Sequence, residues 1–193
     1  MKIKKAIFVK GIVKGKDSWN PEVPQVAFYG RSNVGKSSSV NALLNNGSLA
    51  KTSGMPGKTK EINLFNINDN LYFLDLPGYG FARGSQKDKE KLQELILWFI
   101  VDTHVDNRTH VMVIDSKVGL TDLDRATLDF LYRTNERIII LLNKIDKLNQ
   151  KEFSKVFNGT RKEVAGIVEL IPFSAKTKKG VVEFWKTIEN KTV

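Results

Sequence analysis

Lys36 and Ser37 stand side by side in the run Gly30-Arg31-Ser32-Asn33-Val34-Gly35-Lys36-Ser37-Ser38, which reads G-x-x-x-x-G-K-S. An ammonium next to a hydroxyl suits a polyphosphate and its divalent cation. Lys36 reaches the β- and γ-phosphates, and the Ser37 hydroxyl is a ligand for Mg²⁺. Gly30 and Gly35 let the backbone turn its N–H groups inward and come close to the phosphates. The pattern carries weight only between a strand and a helix. Here the apolar run Gln25 to Tyr29 precedes it, and Ser38 to Leu44, with helical spacing, follows. That helix adds unpaired N–H groups and the positive end of its dipole.

Further motifs follow in order. Asp75-Leu76-Pro77-Gly78 is D-x-x-G at the end of an apolar run. A carboxylate there holds Mg²⁺ through a water, and the Gly78 N–H senses the γ-phosphate. Asn143-Lys144-Ile145-Asp146 is N-K-x-D. Guanine presents two donors on one edge and a carboxylate carries only acceptors, so Asp146 matches guanine and not adenine. Asn143 ties this loop to the phosphate loop, and the Lys144 stem covers the ring face. In Phe173-Ser174-Ala175-Lys176, the Ala175 N–H faces guanine O6. Each short pattern alone reads equally as a surface turn; their order, each after a strand, makes them one guanine-nucleotide site for GTP and GDP.

The elements that must position these loops are legible from periodicity. Apolar strands are expected at Gln25 to Tyr29, Val111 to Ile114, Ile138 to Leu142 and Val168 to Phe173. Glu61 to Ile67 and Leu71 to Leu74, joined through Asn68-Asp69-Asn70, predict an antiparallel hairpin. Helices are expected at about 88–102, after a Thr121 cap, at 150–166, and around Val182, Trp185 and Ile188. Alternating strands and helices give an α/β three-layer sandwich with a mostly parallel six-stranded sheet and one antiparallel edge strand. Residues 1–23, with a basic, partly β-like segment at Ala6-Ile7-Phe8-Val9, read as an N-terminal extension packed on a main domain of 24–193. Leu49 to Lys60 and Tyr79 to Lys87 read as mobile loops whose order depends on the nucleotide.

Composition sets bounds. The chain has 193 residues, 41% of them hydrophobic and 27% charged, as in a soluble single domain. It has no cysteine, which excludes disulfides, thiolate metal sites and a cysteine nucleophile. Apolar runs are too short to span a bilayer, and the basic start lacks the features of a signal peptide, so a cytoplasmic monomer without membrane contact is expected. The net charge of +10 favours a polyanionic partner. The lysine runs 87/89/91 and 176/178/179 are candidate RNA contacts on an otherwise solvated face. His104 and His110 lack carboxylates at ligand spacing and read as surface or packing residues. Trp98 and Trp185 read as core.

The motif order resembles that of translation-factor-class P-loop GTPases with a G domain. The wording Gly30 to Ser38, Pro56-Gly57-Lys58-Thr59 and Asp75-Leu76-Pro77-Gly78-Tyr79-Gly80 resembles the EngB (YsxC/YihA) family of bacterial GTPases over nearly the whole chain. The resemblance implies that Thr59, within Gly57-Lys58-Thr59-Lys60-Glu61, binds Mg²⁺ through its hydroxyl and the γ-phosphate through its N–H. It implies a role in assembling the large ribosomal subunit, through rRNA and ribosomal proteins, with division and septation defects on loss. One departure is Asn143, where members often carry Thr; both donate a hydrogen bond, so guanine selection stands. Ras-type enzymes place a water-orienting Gln after the D-x-x-G glycine. Tyr79 stands there instead, which implies slow intrinsic hydrolysis completed by a partner or an ion. Potassium-using GTPases related to TrmE and Era carry an Asn at the position of Asn33, which makes K⁺ a candidate cofactor. Lys36, Thr59, Gly78 and Asn33 are thus the expected catalytic set. Two rival readings remain: a GTP-gated binding module, and a GTPase acting on division machinery or tRNA.

Overall fold

Strands that are apolar along their full length must be covered on both faces, and the helices of this chain divide accordingly. The computed structural model describes residues 1–15, 22–50, 61–80, 85–103, 105, 107–134, 136–164 and 168–190. The elements run β1 (Ala6–Ile12), β2 (Gln25–Tyr29), α1 (Lys36–Leu43), β3 (Ile62–Ile67), β4 (Leu71–Asp75), α2 (Gln86–Asp102), β5 (Arg108–Asp115), α3 (Asp122–Tyr132), β6 (Arg137–Asn143), a 3-10 turn (Ile145–Lys147), α4 (Gln150–Glu163), β7 (Val168–Pro172) and α5 (Val181–Glu189). The sheet order is β1-β3-β4-β2-β5-β6-β7.

Side chains alternate between the two faces along each strand. Ala27 and Tyr29 of β2 join a core with Leu92, Leu95 and Phe99 of α2 and Leu128 and Leu131 of α3, and Phe153, Val156 and Phe157 of α4 pack against it. Val26 and Phe28 face the opposite core, with Val40 and Leu43 of α1 and Phe184 and Trp185 of α5. Helices α2, α3 and α4 therefore form one outer layer, and α1 and α5 the other. Trp185 is core as expected, its indole N–H donating to Leu43 O at 3.1 Å, and Trp98 packs partly buried on the first core.

The sheet differs from expectation in one respect. It has seven strands, because the segment read as an extension supplies β1, paired antiparallel to β3 from Ala6↔Ile67 to Ile12↔Ile62. Strand β3 also pairs antiparallel to β4, so the reversed strand lies one place in from the edge. The β-like run Ala6 to Val9 is thus part of an edge strand, with Ile7, Phe8 and Val9 about half exposed. An irregularity between Phe8 and Lys10 and the flanking lysines discourage pairing with further strands.

Strands β4, β2, β5, β6 and β7 are parallel, and their registers bring their carboxyl ends to one side: Phe28 pairs with Asp75, Asp115 with Asn143, and Leu142 with Pro172. From β2 the sheet extends one way to β4 and the other to β5, which is the switch point where α/β sheets bind ligands. Every motif loop leaves from this side.

Toward the opposite side, polar groups tie α2 to the sheet. Arg108 is fully buried and its guanidinium lies 4.1 Å from the Phe99 ring centroid. It donates to Gln25 Oε1 (3.1 Å), Phe99 O (3.1 Å) and Thr103 O (2.6 Å), satisfying carbonyls at the end of α2. Burial lowers its pKa from the ordinary arginine value, while Tyr29 and Glu136 act in the opposite sense. His110 is a packing residue as expected: it is buried, with Nδ1 3.0 Å from the Tyr29 hydroxyl and Nε2 2.7 Å from Glu136. His104 lies outside the described residues. Arg108→Met keeps the bulk but removes the donors to Gln25 Oε1 and Thr103 O, while Phe99 O keeps its bond from Thr103 Oγ1 at 2.6 Å. It is expected to lower the unfolding free energy by about 3 kcal/mol, measured by urea denaturation. A loss below about 0.5 kcal/mol, the size of an ordinary surface substitution, would show that the guanidinium does not hold the end of α2.

Candidate functional site: a nucleotide cleft at the strand ends

The phosphate loop leaves β2 at Gly30 and enters α1 at Lys36. Gly35, the residue before the helix, has φ 94°, and a Cβ there would stand 2.5 Å from Asn143 Nδ2. Only glycine meets both conditions. Asn33 is also left-handed, at φ 68°, a conformation that asparagine tolerates better than most residues.

Lys36 and Ser37 converge on one carboxylate. Lys36 is 8% exposed and Asp75 3%; they form a buried ion pair through Asp75 Oδ1, and Ser37 Oγ donates to Asp75 Oδ2 at 2.9 Å. The residues expected to meet the phosphates and the cation thus lie together, linked through the D-x-x-G aspartate. Leu76 is buried, and its N–H donates to Phe28 O at 3.2 Å, continuing the β4–β2 pairing past Asp75. After Pro77, Gly78 passes close to the phosphate loop: a Cβ on it would lie 3.1 Å from Ser32 Cα.

The base-side loops are cross-tied to the phosphate loop. Asn143 is buried; its Nδ2 donates to Val34 O (2.9 Å) and its Oδ1 accepts from the Ala175 N–H (3.1 Å), so one side chain joins three loops. Lys144 adopts φ 66°, and its Nζ donates to Asn33 O (2.6 Å) and Asp115 Oδ2 (2.7 Å). Its stem thereby lies along the loop, with Cε 3.7 Å from where a Gly35 Cβ would be. The Ile145 N–H donates to Phe173 O at 3.3 Å, holding the last two loops together. Asp146 is exposed, and its Oδ1 accepts from Ser174 Oγ at 2.6 Å. Ser174 is fully buried and also accepts from the Thr177 N–H at 3.1 Å, so it fixes the carboxylate with an open face.

Thus Gly30 to Ser38, Asp75 to Gly78, Asn143 to Asp146 and Phe173 to Ala175 come together at one cleft. Gly57, Lys58, Thr59 and Lys60 lie outside the described residues; Glu61, which is described, has its carboxyl group over Gly11, where a Cβ would meet it at 2.1 Å. The expected loops 49–60 and 79–87 are described only in part. Ala50 is buried and held by Asn41 through bonds of 2.7 and 2.8 Å, and Tyr79 is buried as well.

Sequence reasoning missed three roles. Asp115 anchors Lys144, and its signal was a carboxylate at the carboxyl end of a buried strand. Ser174 orients Asp146, whereas the motif pointed to the neighbouring Ala175. Asp124 accepts from the Tyr79 hydroxyl at 2.8 Å, a pairing without a local signal. Burial, and then Asp124, raises the Tyr79 pKa well above its ordinary value, so the phenol stays protonated and a donor. Its side chain is turned away from the cleft, which leaves that position without a water-orienting group.

Comparison with known proteins bears on the same residues. A family model described as "50S ribosome-binding GTPase" matches residues 25–144, and the elongation factor Tu GTP-binding domain model matches residues 105–192. The chain is 40% identical to the probable GTP-binding protein EngB of Lachnospira eligens over 183 residues, covering 93% of this chain and 86% of that one. A crystal structure of a probable GTP-binding protein EngB superposes with a TM-score of 0.68 at 26% identity, over 86% of this chain and all of that one (100%). Era in complex with MgGDPNP and a segment of 16S ribosomal RNA superposes with a TM-score of 0.71 at 27% identity, over 87% of this chain and 56% of that one. Because the likeness runs through the sheet, the base-side loops and the final helix as well as the phosphate loop, this chain belongs to the EngB family of GTP-binding proteins and is a P-loop GTPase.

Proposed function

We propose that this GTPase is a slow guanine-nucleotide switch in the assembly of the large ribosomal subunit, and that its loss impairs division and septation through that role. The description of the family model that matches residues 25–144 carries the reading. Era, a structural relative, was crystallised with ribosomal RNA, and the net charge of +10 suits a polyanionic partner. Among the described residues, no helix is long and apolar enough to cross a membrane; the reading places the protein in the cytoplasm as a monomer.

Each side chain has a part. The open face of Asp146 accepts from guanine N1–H and the exocyclic amine, while the Ala175 N–H meets O6. With nucleotide bound, Lys36 would pass from Asp75 to the β- and γ-phosphate oxygens, and the freed Asp75 carboxylate would help hold a Mg²⁺ ion through water. Ser37 Oγ and Asp75 Oδ2, 2.9 Å apart, are hard oxygen donors of the kind that Mg²⁺ takes alongside phosphates and water. The ion, when bound, neutralises charge on the β- and γ-oxygens. Thr59 joins these donors in the reading, and Gly78 offers its N–H to the γ-phosphate. With Tyr79 committed to Asp124, no side chain at that position orients water, so intrinsic turnover is slow. Asn33, exposed in the phosphate loop, would offer an oxygen to a potassium ion, which would supply the missing positive charge.

Three outcomes are expected. The protein co-sediments with large ribosomal subunits in the presence of a non-hydrolysable GTP analogue, and less with GDP; equal recovery in both states, or recovery on tRNA instead, would overturn the assembly reading. Asp146→Asn weakens GTP binding by about 1–3 kcal/mol and favours xanthine nucleotides in competition assays, whereas equal binding of ATP and GTP by the unmutated protein would remove the base assignment. Hydrolysis is at least about 10-fold faster in potassium than in sodium at equal ionic strength, and Asn33→Ala removes the difference. Equal rates in both salts, with and without large subunits, would leave Asn33 as a loop residue only.

A further inference from the structure

The residue after Gly78 is held from three directions. The Tyr79 N–H donates to Gly30 O at 3.3 Å and its carbonyl accepts from the Ser32 N–H at 2.8 Å. These bonds make Arg31 and Tyr79 an isolated parallel bridge between the phosphate loop and the D-x-x-G segment. The third hold is the phenol, which donates to Asp124 Oδ1 at 2.8 Å. Tyr79 is 7% exposed and Asp124 2%. The second oxygen of Asp124 accepts from the Thr121 N–H (2.9 Å) and Thr121 Oγ1 (2.7 Å), so the acceptor is itself locked into the capping box that starts α3. The rest of the side chain packs in the core that holds Leu76, Leu128 and Met112.

Gly78 is confined between this anchor and the backbone of Ser32, 3.1 Å from a would-be Cβ. A peptide clamped on both sides has few orientations open to its N–H. We infer that Tyr79 is the positioning residue for the γ-phosphate contact: its bond to Asp124 fixes the Gly78 N–H against the phosphate loop, so that the pair favours GTP over GDP without touching either nucleotide. The inference rests on the proposed contact between Gly78 and the γ-phosphate. Because GDP has no γ-phosphate, losing the bond acts on triphosphate binding and hydrolysis and spares diphosphate binding.

Tyr79→Phe keeps the ring and removes only the hydroxyl. With Mg²⁺, affinities for GDP and for a non-hydrolysable GTP analogue are measured by calorimetry, together with kcat and KM for GTP. The expected result is a fall of about 10-fold in the ratio of analogue to GDP affinity, with GDP affinity itself within about twofold and kcat lowered. Asp124→Ala gives the same change in the ratio, and the double variant adds nothing further, as for two ends of one bond. Tyr132→Phe, on α3 and away from the cleft, leaves the ratio alone. If Asp124→Ala does not fold, Tyr79→Phe alone decides. An unchanged ratio in Tyr79→Phe, whatever its melting temperature, or additive effects in the double variant, would overturn the inference. If the unmutated protein does not select guanine nucleotides, the nucleotide reading falls and the inference with it; if selection is intact and the ratio is unmoved, only the inference falls.

Discussion

The site depends on one buried contact, the pairing of Lys36 with Asp75, which Ser37 completes with its own bond to the same carboxylate. An unpaired ammonium in a cleft of this kind would be costly, since burying a charge is tolerated only when it is paired and hydrogen-bonded. Asp75 supplies that partner because β4 lies parallel to β2 in a register that sets Asp75 beside Phe28, two residues before Gly30. Sheet register therefore neutralises the phosphate loop before any nucleotide arrives. The same register keeps both ends of the pair at the strand ends, beside the phosphate loop.

The base side follows a related rule: loops far apart in sequence are joined through one short polar side chain. Asn143 has a donor and an acceptor on the same amide, and it uses both, toward Val34 and Ala175. Gly35 has to be glycine because Asn143 reaches so close to it. Ser174 and Asp115 hold Asp146 and Lys144 in the same way. These are supporting contacts, and they fix recognition geometry more firmly than loop backbone alone could.

At the far side of the sheet the same economy holds polar groups in the interior. Arg108 finds its acceptors on the end of α2 and on Gln25, and His110 sits between Tyr29 and Glu136. The Arg108 cluster ties α2 to the sheet, and the His110 cluster joins β5 to β2 and to the residue before β6, both away from the strand ends where the motif loops lie.

By itself, the sequence determined which chemistry the chain carries and the order of its elements. Phosphate-loop glycines, a strand's apolar run and a capping threonine act over a few residues, so their spacing is legible wherever they fall. The helices and the six apolar strands were legible for that reason, as was the core tryptophan Trp185. Only the tertiary structure decided how distant segments meet. The β-like run Ala6 to Val9 was legible, but its place in the sheet depends on pairing with β3, more than fifty residues away in some registers. The partnership of Tyr79 with Asp124, 45 residues on, and the pairing of Lys36 with Asp75, 39 residues on, likewise depend on sheet register and helix packing. No local pattern encodes those distances, because they are set by which strand lies next to which.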